Sequence, residues 1–166
     1  MMIPVVNESD IQIASRERDS LLPDDMYRAS ALWLLNLEGK VLLARRALSK
    51  KHNPGRWGCS VAGTVEEGET YQSNILKETE EEIGLVLTVQ DLHKGAKLLL
   101  KGKHNHFCQF FFAQIPKTVD ELIYDEKEVM GIRWISIEEL LQDVQENPES
   151  YSVNLAECRL LLERTV

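Results

Sequence analysis

The sequence is short of cysteine, short of positive charge and without a long apolar run. Cys59, Cys108 and Cys158 are few, odd in number and widely spaced, so they read as free thiols in a reducing compartment, the cytoplasm, and not as a disulfide framework. Lys and Arg number 19 against 27 Asp and Glu, and the net charge of -8 excludes broad affinity for nucleic acid polymers or anionic membranes. No stretch approaches the roughly 18 apolar residues of a membrane span, and MMIPVVNESD lacks the basic flank and apolar core of a secretion signal, so no membrane partner is expected. There is no internal repeat or low-complexity tract. What remains is 166 residues, 43% of them hydrophobic, the size and composition of one globular domain over residues 1–166. Its expected partners are small molecules or cations, and composition leaves open whether it works as a homodimer.

The order of elements is mixed. Residues 3–6 and 11–14 flank the polar NESD cluster and read as a hairpin within an N-terminal arm, residues 1–25, with SRERDS as a polar turn. Strand-like runs follow at 29–35 and 41–44 around an Asn- and Gly-bearing turn. A basic loop, RALSKKHNPGRWG, precedes a strand at 59–62. Thr70 to Ile83 has no Pro or internal Gly, begins at a capping Thr and ends at Gly84, which predicts a helix. Strands at 96–100, 106–115 and 131–135 precede helices at 137–145 and 152–164, the first opened by a Ser136–Glu139 capping box. Strands interspersed with a few helices give an α/β or α+β sandwich.

Acidic residues crowd the segment GTVEEGETYQSNILKETEEEIGL, residues 63–85. An acidic run alone reads as a solvated helix face. On a helix, however, Glu78, Glu81 and Glu82 stand at i, i+3 and i+4, so they share an edge and are expected to converge on a point. Hard oxygen ligands of this kind suit Mg²⁺ or Mn²⁺, and a backbone carbonyl near Ala62 or Gly63 could face the same ion.

The spacing Gly63, Glu69, Lys77-Glu78-Thr79, Glu81-Glu82, Gly84, Leu85 resembles the Nudix box, matching seven of nine fixed positions. Lys77 stands for the family's Arg and Thr79 for an apolar residue, which removes a bidentate guanidinium and alters the helix's packing face. The resemblance implies a Nudix α/β/α sandwich with a mixed sheet, and a hydrolase that cleaves the diphosphate linkage of a small organic diphosphate with Mg²⁺ or Mn²⁺. It implies that Glu78, Glu81 and Glu82 bind metal and carry the catalysis, with one of them available as base. It further implies a main-chain ligand from Ala62 or Gly63, and Glu69 and Lys77 holding loop against helix before Gly84 ends it.

NLEGKVLLARRALSKKHNPGRWGCSVAG and DEKEVMGIRWISIEEL extend the likeness to the isopentenyl diphosphate isomerase branch of that superfamily. By that resemblance Ala62 and Thr64 occupy the branch's catalytic Cys and metal-binding His positions, Tyr27 replaces a further His ligand, and His104 and His106 replace two acidic ligands. Ala62 cannot move a proton, and Cys59 lies an odd number of strand residues away, so a hydrolase is favoured over an isomerase, with a silent nucleotide-binding module as a third reading. Arg46 and Lys50 are implied diphosphate contacts. His104 and His106 share a strand face and could touch phosphate, shuttle a proton or add a ligand, or could simply begin a strand. Trp57 reads as a packing anchor, with stacking on a base as the alternative.

Overall fold

A computed structural model describes residues 1–164. Strand β3 (Tyr27–Leu35) runs through the middle of a seven-stranded mixed sheet. Along one edge it pairs in parallel with β8 (His106–Gln114), which in turn pairs antiparallel with β7 (His93–Leu100). Its other edge is divided. Residues Ala29–Leu32 pair with β6 (Val61–Thr64), while β4 (Val41–Arg46) meets β3 only at Leu35 opposite Val41. Beyond β4 lie β9 (Val129–Ile135) and the short β5 (Trp57–Gly58).

Where β3 and β4 part, the hydroxyl of Ser60 fills the missing rung. It accepts from the Leu34 N–H at 2.8 Å and donates to the Leu42 carbonyl at 2.7 Å, fully buried. An orphaned backbone pair at that depth would otherwise cost about 1–3 kcal/mol. This insertion also corrects the strand expected at residues 59–62: the chain breaks at Cys59–Ser60 to seat the hydroxyl, and pairing resumes at Val61.

The near-continuous apolar run of β3 is buried on both faces, as expected of a strand covered by helices on either side. Trp33 and Leu35 pack with Phe110 and Phe112 under α2 (Ile137–Glu146) and α3 (Leu155–Arg159). Leu32 and Leu34 face the other way, with Phe111, against Ile75 and Ile83 of α1 (Tyr71–Ile83). This is the expected α/β/α layering. The last helix is shorter than the predicted 152–164, because the Ser152 N–H donates to the Trp57 carbonyl at 2.7 Å and holds that segment extended. Asn154 then caps α3 by accepting from Glu157 N–H at 3.0 Å. Among the described residues no helix is long and apolar enough to cross a membrane.

The N-terminal hairpin, β1 (Met2–Val6) with β2 (Gln12–Glu17), is docked on this framework, and Arg18–Ser20 forms the polar turn. Ile3, Val5 and Val6 are buried. At its tip Asp10 adopts φ 59°, a left-handed conformation that Asp tolerates better than most residues. Its carboxylate, 10% exposed, accepts from Arg28 Nε at 2.6 Å, Tyr71 Oη at 3.0 Å and the Lys97 ammonium. One side chain thereby ties the hairpin to β3, α1 and β7.

Removing a largely buried ionic hub leaves its cations uncompensated. Asp10→Ala should therefore lower the free energy of urea unfolding by about 3 kcal/mol. Lys40→Ala, which breaks an exposed pair with Glu38 at 3.4 Å, should cost under about 1 kcal/mol in the same measurement.

Candidate active site

Helix α1 is fixed at both ends by its sequence. Thr70 Oγ1 accepts from the Ser73 N–H at 3.0 Å, and Ser73 Oγ accepts from the Thr70 N–H at 2.9 Å. Gly84 closes the helix at φ 65°, donating to the Glu80 carbonyl at 3.0 Å. A Cβ there would also come within 2.6 Å of the Ile123 carbonyl oxygen, so both conformation and space require glycine.

The loop from Gly63 is clasped to this helix by Asn74 and Lys77. Asn74 is fully buried; it accepts from the Ser30 hydroxyl and its Nδ2 reaches the Thr64 carbonyl at 3.0 Å, Glu69 at 2.9 Å and Glu78 at 3.4 Å. Lys77 pairs with Glu66 and Glu69, each at 2.7 Å, and lies 3.7 Å from Glu78. Burial works against the charge of Lys77, but the hydrogen bonds to Glu66 and Glu69 outweigh it and hold the ammonium well above its usual pKa. Burial likewise opposes ionisation of Glu69, and is outweighed by Lys77, the Glu66 N–H and Asn74, which keep it below the carboxylate range. An ammonium thus performs the loop-to-helix bridging expected of Lys77 and Glu69. Thr79 is fully buried with its hydroxyl donating to the Ile75 carbonyl at 2.6 Å, so it occupies the apolar position without an orphaned polar atom.

Ala62, Gly63, Glu78, Glu81, Glu82, Arg46 and Lys50 border one cleft of about 640 Å³. Gly63 makes the close approach possible: a Cβ on it would stand 2.4 Å from Cγ and 2.8 Å from Oε1 of Glu78. Burial, against the pull of Lys77 and with added repulsion from Glu81, Glu69 and Glu66, pushes Glu78 up to about 7. Burial, followed by Glu78 and Glu128, pushes Glu82 up to about 8, against the pull of Arg46 and Lys50. Both are strongly perturbed acids in a cleft, the electrostatic profile of a functional site.

The expected convergence on a single point is corrected in one respect. The three glutamates border the same cleft, but among the described residues no three His, Cys, Asp or Glu side chains form a closed metal-ligating set. Glu81 is exposed while Glu78 is packed on Gly63. The residues nonetheless fit a hard divalent cation: the donors are carboxylate and carbonyl oxygens, and two of the acids are buried beside like charge.

Three further acids on the cleft, Glu66, Asp125 and Glu128, escape a helix-based reading because they lie on loops. Glu128 pairs with Lys50, so that lysine is already partly neutralised. Asn74, also overlooked, stands one helical turn before Glu78, and that spacing is its only sequence signal. His104 and His106 do not border the carboxylate cleft; they line an adjacent one, with Tyr27, that shares Arg46. Ala62 is exposed at the carboxylate cleft, whereas the Cys59 thiol donates to the Val61 carbonyl at 3.3 Å and packs against the core on the α2 and α3 side. Burial drives that thiol's pKa far up, so it is unreactive. Trp57 packs against the same core, with the Arg133 guanidinium 4.5 Å from its ring centroid, in keeping with an anchor.

Comparison with known proteins matches residues 26–154 to the NUDIX domain family. The chain is 32% identical over 158 residues to a prenyl-diphosphate phosphatase of Methanosarcina mazei, covering 94% of this chain and 91% of that protein. It is 30% identical over 144 residues to an isopentenyl-diphosphate Delta-isomerase of Citrobacter koseri, covering 84% and 76% respectively. In fold it is similar to the DR0079 protein of Deinococcus radiodurans, with a TM-score of 0.82 at 24% identity and full coverage of both chains.

Two measurements probe this geometry. In the folded chain Glu78 and Glu82 keep their protons to about pH 7 and about pH 8, against 4.5 for a free glutamate, so the folded state binds more protons between those values. Without divalent ions its stability should fall as pH rises across that window, and excess Mn²⁺ should flatten the fall by favouring the deprotonated acids. Gly63→Ala must displace Glu78 and should weaken Mn²⁺ binding by at least about tenfold while the far-UV circular dichroism stays unchanged.

Proposed function

The chain belongs to the NUDIX domain family, which accounts for residues 26–154, and from that premise we propose that it is a Mg²⁺- or Mn²⁺-dependent hydrolase of small organic diphosphates. The observation that carries the proposal is the pair of desolvated acids, Glu78 and Glu82, facing Arg46 and Lys50 across one cleft. A phosphate-bearing substrate needs both signs of charge there: carboxylates for the ion, guanidinium and ammonium for the phosphate oxygens. The likeness to a prenyl-diphosphate phosphatase agrees with that substrate class.

Glu78, Glu81 and Glu82, with a main-chain carbonyl of Ala62 or Gly63, would hold the cation. When bound, it supplies neutralisation of the phosphate oxygens and acidification of the attacking water. The chain's own residues do the rest. Asn74 and Lys77 keep Glu78 and Glu69 in place, a carboxylate of the set takes the proton of the water, and Arg46 offsets charge on the departing phosphate. Water adds to phosphorus as the bridging P–O bond breaks, giving orthophosphate and an organic monophosphate.

Allylic isomerisation needs a group that moves protons at carbon. Ala62 has none, and the half-buried Cys59 thiol donates to the Val61 carbonyl, with its pKa raised far above the usual thiol value by burial. A silent binding module would have no need to retain all three acids at the cost of their mutual repulsion.

Phosphate release from a panel of organic diphosphates, with Mg²⁺ or Mn²⁺, tests the reading. The native chain should turn over at least one of them, and Glu82→Gln should lower that turnover by about 100-fold or more with the fold retained. Equal turnover by the variant would remove Glu82 from the mechanism, and incorporation of solvent deuterium into isopentenyl diphosphate without phosphate release would replace hydrolysis by isomerisation.

A further inference from the structure

Beside the carboxylate cleft lies a second, of about 610 Å³, with walls of the opposite sign. Arg18, Arg46 and Lys103 line it against a single carboxylate, Asp19. Among the described residues none of these three cations has an acidic partner within salt-bridge distance, while Arg28, Lys50, Lys77 and Lys97 are all paired. Unneutralised cations around a concavity, in a chain of net charge -8, make an anion site.

Arg18 is held on a platform. Its guanidinium lies 4.4 Å from the Tyr27 ring centroid and its Nη2 donates to Tyr27 Oη at 3.3 Å. Tyr27 in turn stacks on His106, its register partner across β3 and β8, with centroids 4.8 Å apart and planes 13° off parallel. This is the only side-chain hydrogen bond of Arg18 among the described residues, so most of its five N–H donors have no protein acceptor. Among the described residues the Arg46 side chain spends only its Nε, on the His52 carbonyl at 2.9 Å, and it lines both clefts. The docked hairpin delivers Arg18: β2 ends at Glu17, and Asp10 fixes the hairpin to the sheet.

We propose that this second cleft is a phosphate subsite for the organic part of the substrate, with Arg18 as its specificity-determining residue. The inference rests on the hydrolase reading for the placement of the diphosphate in the neighbouring cleft. A diphosphate with an uncharged hydrocarbon tail would leave Arg18 and Lys103 without a partner. One bearing a further phosphate on its organic part satisfies both clefts at once, with Arg46 between them.

Inorganic phosphate, titrated calorimetrically in the presence of a chelator, isolates the subsite from the metal. The native chain should bind it, and both Arg18→Ala and Lys103→Glu should weaken binding by about tenfold or more, with Arg18→Lys intermediate. Lys103 is exposed on a turn, so its variant reports even if Arg18→Ala unfolds. No binding by the native chain, or equal binding by both variants, overturns the subsite.

Adenosine 3′-phosphate 5′-diphosphate, ADP and isopentenyl diphosphate then read the preference. kcat/KM should favour the first over the others by about tenfold or more, and Arg18→Ala should collapse the ratio to ADP. Equal rates, or preference for isopentenyl diphosphate, sink the subsite and leave the hydrolase intact. No metal-dependent release from any compound defeats the hydrolase reading, while the titration still decides the cleft.

Discussion

Like charge held in a desolvated cleft is the constraint around which the rest of the molecule is arranged. Glu78 lies against the backbone of Gly63 and Glu82 is drawn into the same space, each destabilised by burial and by its neighbours. Nothing in local helix propensity favours this. It persists because α1 is locked at Thr70 and Gly84, and because Asn74 and Lys77 bind the preceding loop so that Glu78 cannot swing clear.

The sheet provides the matching rigidity. By splitting one edge of β3 between β6 and β4, the fold brings the Ala62–Gly63 backbone and the basic end of β4 to one cleft, and Ser60 satisfies the backbone where the strands separate. The irregularity at Cys59–Ser60 therefore has a positional role: it joins two strands of different neighbours without burying an unpaired amide.

Charge is sorted in space as well as in number. The acidic cleft and the basic cleft meet at Arg46, and the N-terminal hairpin, pinned by Asp10, completes the basic one. By the resemblance of the sequence to the isomerase branch, Tyr27, His104 and His106 fall at positions expected to hold metal ligands there. In this chain Tyr27 and His106 form a stack, and burial holds His106 below its usual pKa.

By itself the sequence determined the helix 71–83, its capping and the spacing of its acids, because those depend on neighbours within one or two turns. It also showed strands interspersed with a few helices and marked the nearly all-apolar run at 29–35 as a central strand, while the α/β/α layering was implied by the resemblance of residues 63–85 to the Nudix box. Only the tertiary structure decided which acids are desolvated, that Lys77 could take the place of an arginine, and that His104 and His106 line the neighbouring cleft. It alone added Glu128 and Arg18 to the two clefts and Asn74 to the clasp behind Glu78. Those outcomes depend on residues distant in the chain meeting across strands and loops, where the energy of a charge is set by its burial and its partners, neither of which is a local property of the sequence.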